Sequence, residues 1–152
     1  MFRSVTLPYI EITLAVNFDC HKTLIITSKK KFVKPDYLQW IAKFSIEAGK
    51  SNEFRELAQE YCKVVETNES GTKSYLWYLN DEQSECTVTE WYENSEAGIA
   101  HVGNVSKQLF PKLLKISKIT DLEVYGNPSK ELEDMLKGFG AKFFRFVTGF
   151  TR

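Results

Sequence analysis

The chain has no surplus of charge of either sign: twenty Lys and Arg stand against twenty Asp and Glu in 152 residues. No net field therefore draws it toward nucleic acid or an anionic membrane surface. The longest basic run, Lys29-Lys30-Lys31 with Lys34, has only Phe32 and Tyr37 nearby as stacking groups and reads as part of a solvated linker. Cysteine is scarce too. Cys20, Cys62 and Cys86 are odd in number, far apart and without a C-x-x-C or Cys/His spacing, which argues against zinc and fits reduced thiols in the cytoplasm. No run approaches the ~18 apolar residues that span a bilayer. The stretch Ile10 to Val16 is disturbed by Pro8 and Glu11 and precedes no small-residue cleavage site, so no signal peptide is expected. Phosphate-loop, dinucleotide, serine-hydrolase and metal-spaced histidine motifs are all missing, and neither metal nor organic cofactor is expected.

What is there is a β-rich N-terminal segment followed by an alternation of helical and strand patterns. Val5 to Thr27 is rich in β-branched and aromatic residues, with Asn17-Phe18-Asp19 as a turn, and predicts a hairpin; Lys29 to Asp36 predicts a linker, with a boundary after residue 36. The main domain, 37–152, opens with a strand from Leu38 to Ile46 whose Trp40, Ala42, Phe44 and Ile46 share a face. Phe54, Leu57, Ala58, Tyr61, Cys62 and Val65 recur at helical spacing behind a Ser51 cap. The turn Asn68-Glu69-Ser70-Gly71 leads into a hairpin of Thr72 to Leu79 and Cys86 to Tyr92. A second helix starts at Asn94 or Ser95, is expected to break at Gly103-Asn104, and resumes from Val105 to Ile116, with Pro111 restarting or kinking it. A strand from Ile119 to Tyr125, a short helix closed by Gly138 and a last strand from Lys142 to Phe150 complete the chain. The order β-α-β-β-α-β is the split βαβ, ferredoxin-like α+β plan, with an extra C-terminal helix and strand.

Both faces of the strands carry bulky groups, Tyr75 and Trp77 against Leu76 and Tyr78, and Trp91 against Val88 and Tyr92. Burying a large apolar side chain is worth about 1.5–3 kcal/mol, so a second apolar face calls for a cover. A partner sheet, and hence a homodimer, is the economical one.

The run Val64 to Tyr75, followed by Glu90-Trp91-Tyr92-Glu93-Asn94-Ser95-Glu96-Ala97 and His101, resembles the antibiotic-biosynthesis monooxygenase family, which includes quinol-monooxygenase-like proteins. The tail from Leu122 through Pro128 and Phe143 to Phe150 looks like a branch with a C-terminal helix and strand. Ser70 departs from the proline the family often has there, and residues 1–36 lie outside the resemblance. The resemblance implies a dimeric α/β barrel with a cavity between sheet and helices, and oxidation of electron-rich phenols or hydroquinones by O₂ without metal or flavin.

Such chemistry needs a base, aromatic walls and a dry pocket, because the deprotonated substrate itself supplies the electron to O₂. His101 is the candidate base, since imidazole titrates near neutrality; the alternative is a histidine that bonds helix ends or a dimer seam. Trp91, Trp77, Tyr75 and Tyr78 are candidates for an aromatic pocket, with core packing as their alternative, and Glu90 either joins the substrate site or pairs with backbone or Arg145. His21 lies in the unmatched segment and receives no role. A haem-degrading relative of the same fold would use an Asn from the first strand, which Trp40 to Ile46 lacks. From another functional class, a non-catalytic dimeric binder of small aromatic molecules fits the same sequence.

Overall fold

The computed structural model describes residues 9–18, 22–31 and 37–149. The chain divides into two compact units between Lys34 and Pro35. In the first, β1 (Tyr9–Phe18) and β2 (Lys22–Lys31) form an antiparallel hairpin running from Tyr9 opposite Lys31 to Phe18 opposite Lys22. Lys29, Lys30 and Lys31 therefore extend a strand instead of beginning a linker, because Glu11, Ile10 and Tyr9 continue the backbone ladder opposite them. The hairpin's expected first residues 5–8, its turn residue Asp19, and residues 32–36 of the expected linker lie outside the described residues.

The second unit runs β3 (Leu38–Ile46), α1 (Ser51–Asn68), β4 (Thr72–Leu79), β5 (Glu85–Tyr92), α2 (Ser95–Gln108), α3 (Phe110–Leu113), β6 (Ser117–Tyr125), α4 (Lys130–Lys137) and β7 (Lys142–Phe144). Its five strands lie in the order β4-β5-β3-β6-β7, antiparallel except for the β6–β7 pair. This is the α+β, ferredoxin-like arrangement expected from the element order.

Three local expectations are corrected. The α1 cap position is Lys50, which makes no side-chain cap bond, and Ser51 is already the first helical residue. Helix α2 does not break at Gly103-Asn104 but continues to Gln108; a helical glycine costs only about 1 kcal/mol, and His101 and Val105 are buried on either side of it. The break comes at Leu109, after which Pro111 sits in the first turn of α3, where its missing N–H is no loss. Strand β7 stops at Phe144 because β6, its parallel partner, ends opposite it at Tyr125, and Gly126 turns the chain away with φ of 117°. Val147 beyond it is 87% exposed, and Phe150 lies outside the described residues.

Strand alternation sorts the sheet into two faces. Trp40, Ala42, Phe44 and Ile46 are buried on the helix side, as their spacing predicts. Cross-strand registry then builds rows on that side: Tyr75 opposite Glu90 opposite Trp40 opposite Val124, and next to it Trp77, Val88, Ala42 and Leu122. Helices α1, α2 and α4 contribute Phe54, Tyr61, Val65, Val105, Leu132 and Leu136 to the core above these rows.

Candidate functional site

The two rows form the floor of a cavity of about 80 Å³, lined by Trp40, Tyr61, Tyr75, Trp77, Glu90 and His101 and completed by apolar side chains. At its rim Phe110 and Phe139 pack edge to face at 5.5 Å, and Phe139 is 39% exposed between Gly138 and Gly140. Of the residues expected to form a site, the structure brings Tyr75, Glu90 and His101 together, along with Trp77. Trp91 and Tyr78 are not with them. Both lie on the opposite face of the sheet, 41% and 53% exposed, and Trp91 stacks on Tyr37 at 5.4 Å. The period-two alternation that buries Glu90 and Tyr92 turns Trp91 outward, and the one that points half-buried Tyr75 and Trp77 at the helices turns Tyr78 outward. Arg145 does not reach Glu90; it pairs with Glu133 and donates to the Gly126 carbonyl.

His101 is brought to the floor by α2, which Asn94 starts by accepting a hydrogen bond from the Ala97 N–H. The helix lies close because Gly98 faces the Trp40 indole: a Cβ there would come within 3.0 Å of the ring. His101 Nδ1 lies 2.9 Å from Glu69 Oε2, and its Nε2 lies 3.6 Å from Glu90 Oε2. All three side chains are buried. The imidazole is walled by Tyr75 and Tyr92, each at 5.3 Å between ring centroids, and by Trp40 at 6.0 Å.

The two carboxylates differ in environment. Glu69 is the C-cap residue of α1, and the chain reversal there carries its side chain beneath α2. It accepts from Thr72 Oγ1 at 2.8 Å and from Asn104 Nδ2 at 3.4 Å. Burial pushes its carboxyl up, but bonding to His101, Thr72 and Asn104 outweighs burial and holds it below the usual carboxylate range. Burial dominates at Glu90 and raises its carboxyl, although His101 and the Tyr92 hydroxyl, which donates to Oε2, act in the other direction. Burial likewise pushes the Tyr75 and Tyr92 hydroxyls well above their ordinary range, with Glu90 adding to the effect.

An ionised Glu69 accepts the 2.9 Å bond from Nδ1–H, and Nε2 is turned toward Glu90 and the cavity. Glu69 is the residue sequence reasoning missed. It stands in the Asn68-Glu69-Ser70-Gly71 turn, where an acidic residue fits ordinary turn chemistry; no local pattern tells a buried turn carboxylate from a solvated one. Trp40 and Tyr61 show only a core pattern in the sequence. Among the described residues no cluster of His, Cys, Asp and Glu has metal-binding geometry, and no helix is long and apolar enough to cross a membrane. Cys62 and Cys86 are free thiols, and Cys20 lies outside the described residues.

The fold and cavity define a ferredoxin-like domain with a buried glutamate–histidine pair beside an aromatic pocket. Residues 40–108 match the family model described as antibiotic biosynthesis monooxygenase. Solved structures share the fold. MupZ from Pseudomonas fluorescens is 19% identical with a TM-score of 0.65, covering 76% of this chain and 94% of that one. A conserved protein from Methanosarcina mazei Go1 is 20% identical with a TM-score of 0.53, over 60% and 92% of the two chains. SnoaB, a cofactor-independent oxygenase from Streptomyces nogalater, is 11% identical with a TM-score of 0.52, over 62% and 96%. No curated protein matches the chain in sequence.

Proposed function

We propose that the α+β domain is a monooxygenase that oxidises a phenolic or hydroquinone-type aromatic molecule with O₂ and without a cofactor. The observation that carries the reading is the buried Glu69–His101 pair, 2.9 Å apart, with Nε2 directed at an aromatic cavity. Nε2 takes the substrate's hydroxyl proton, and the Glu69 carboxylate stabilises the imidazolium that results. The aryloxide passes one electron to O₂, and the radical pair joins to form a C–O bond. His101 returns its proton to the distal oxygen. The O–O bond then breaks, that oxygen leaves as water with the proton of the attacked C–H, and a quinone remains. For a naphthol the balance is one phenol and one O₂ consumed, one quinone and one water formed. The apolar walls favour the step by excluding water from the aryloxide and from O₂ reduction products.

The cavity of about 80 Å³ holds dioxygen but is small for a ring, since an apolar cavity of roughly 150 Å³ is what admits benzene. In this reading Phe139 swings outward to enlarge it. The working form is a homodimer, in which a second copy covers the exposed Leu76, Tyr78 and Trp91. The test is O₂ uptake by the purified protein on a panel of hydroquinones, naphthols and anthrone-like phenols. Quinone formed in one-to-one ratio with O₂, and lost with Glu69→Gln, is the expected result. Ligands of the panel that bind without any O₂ uptake would instead establish a binding protein.

A further inference from the structure

Strand β4 enters the sheet through a bulge. Thr72 stands opposite Tyr92 and Ser74 opposite Trp91, so Lys73 is an extra residue without a place in the β5 register. The Lys73 side chain is exposed, 2.7 Å from Glu93, and donates to the Ser70 carbonyl at 3.1 Å. In an unbroken strand, residues three apart point to opposite faces, which would turn Thr72 away from the helices that Tyr75 faces. The bulge removes that opposition. Directly opposite residues share a face, so Thr72 lies on the side of Tyr92 and Tyr75 on the side of Glu90, both toward His101. Bulges gather beside functional sites because they re-aim a side chain in this way.

What the re-aimed hydroxyl meets is Glu69. Thr72 Oγ1 donates to Oε2 at 2.8 Å, the same oxygen that lies 2.9 Å from His101 Nδ1. The Thr72 N–H donates to the Glu69 carbonyl at 3.1 Å and closes the turn, which the Glu93 N–H ties to the end of β5 through the Gly71 carbonyl at 2.9 Å. Gly71 lies so near α2 that a Cβ on it would stand 2.6 Å from the Ala97 Cβ. The backbone around Glu69 is therefore fixed. Its carboxylate is not fixed by the glutamate itself, because the last torsion of that side chain is broad and roughly two-fold. A donor has to decide which oxygen meets Nδ1. Asn104 reaches only the other oxygen, Oε1, at 3.4 Å and from an exposed position, and such a bond is weak beside one of 2.8 Å to a carboxylate.

We propose that Thr72 is a positioning residue, re-aimed by the bulge to hold the Glu69 oxygen that accepts from His101 and so to keep the Nε2 edge of the imidazole turned into the cavity. Its part in turnover rests on the function proposed above; its hold on the imidazole does not. A hydroxyl can only donate to an ionised carboxylate, so Thr72 pins the oxygen without drawing the proton from Nδ1.

The test is proton and nitrogen NMR of the imidazoles in the full chain, which has only two histidines, so that His21→Gln assigns the signals of His101. The wild type should show a slowly exchanging Nδ1–H signal. Thr72→Val keeps the shape and deletes the donor, and should speed the exchange of that proton with water about tenfold or more. Thr72→Ser restores the donor and should stay within about threefold of the wild type, and Asn104→Ala should do the same. Thr72→Ala makes the comparison again if the valine variant does not fold. A merely structural threonine would lower the melting temperature and leave the imidazole signal unmoved. No Nδ1–H signal in the wild type, an exchange rate unmoved by loss of the hydroxyl, an Asn104→Ala effect as large as that of Thr72→Val, or failure of both Thr72→Val and Thr72→Ala to fold would overturn the assignment. On any phenol of the panel that supports O₂ uptake, Thr72→Val should lower kcat about tenfold or more with KM within about twofold, and an unchanged kcat would overturn the part in turnover. Faster exchange in Thr72→Val, with no O₂ uptake by the wild type on any phenol, would leave the hold on His101 standing and remove the oxygenase.

Discussion

His101 holds Glu69 at 2.9 Å through Nδ1 and faces Glu90 at 3.6 Å through Nε2, so one imidazole separates two buried carboxylates of opposite tendency. The carboxylate held ionised fixes the tautomer. The one raised by burial lies on the Nε2 side of the ring, toward the cavity.

The pair makes a joint prediction for turnover. A positioned proton acceptor contributes about a hundredfold to ten-thousandfold in rate, and His101→Ala should lose that much on an active phenol. Glu69→Gln keeps the shape but holds Nδ1 less firmly as donor and no longer stabilises the imidazolium, so it should lose most of the same factor. The pH–rate profile of each variant, measured beside its melting temperature, is the check. Full turnover in both would remove them from the mechanism.

Glu90 predicts a pH dependence of stability. Its carboxyl is raised in the folded chain by burial, so the folded state keeps the proton to higher pH than the unfolded state does. Ionisation of Glu90 therefore costs stability once the pH passes the ordinary carboxyl value, and the full cost is present above the folded value. Glu90→Gln, which can still accept from Tyr92, escapes that cost. Denaturant melts between about pH 4 and about pH 8 should show the variant gaining on the wild type as pH rises. A gap that stays constant over this range would mean that Glu90 does not titrate with unfolding.

The outer face of the sheet predicts association. Leu76, Tyr78 and Trp91 are each more than two-fifths exposed on one side of adjoining strands. Light scattering at micromolar protein should give twice the 17.6 kDa chain mass. A Leu76→Glu, Trp91→Glu double variant should give the single mass with the cavity side unaltered. A monomeric wild type would leave the aromatic outer face without its expected cover.

The division between Lys34 and Pro35 predicts that the α+β unit is self-sufficient. A chain beginning at Pro35 should melt cooperatively and keep any ligand affinity of the full chain. Insolubility or a broad, non-cooperative melt would show that the hairpin unit contributes to the core.

Strand and helix positions were legible wherever apolar side chains repeat with a clear period: Leu38 to Ile46, the Phe54–Tyr61–Val65 stripe and the Thr72 to Leu79 strand are where the pattern puts them. Boundaries failed where pairing or packing overrides local preference. Gly103 sits inside a helix because buried neighbours hold it there, and the final strand is cut short by the end of its partner β6. At the site, the sequence pointed to His101, Glu90 and Tyr75, which one strand register and one helix face bring together. It did not point to Glu69, since a carboxylate in a turn is buried only by what later segments lay over it. Trp91 and Tyr78 were drawn in by aromatic character alone, which says nothing of the face they occupy.

Tyr75, Glu90 and Trp40 share one row across β4, β5 and β3, so half of the cavity floor is specified by strand register and not by any loop. A single-residue deletion within Glu85–Tyr92 would slide β5 against both neighbours and send Glu90 and Tyr92 outward together, while bringing Trp91 in. Lengthening the Asn80–Ser84 connection would leave every row intact. Over evolutionary time such a site drifts little by degrees: its connections are free to vary in length and sequence, whereas one slip of the pleat takes Glu90 and the Tyr92 ring away from His101 in the same step.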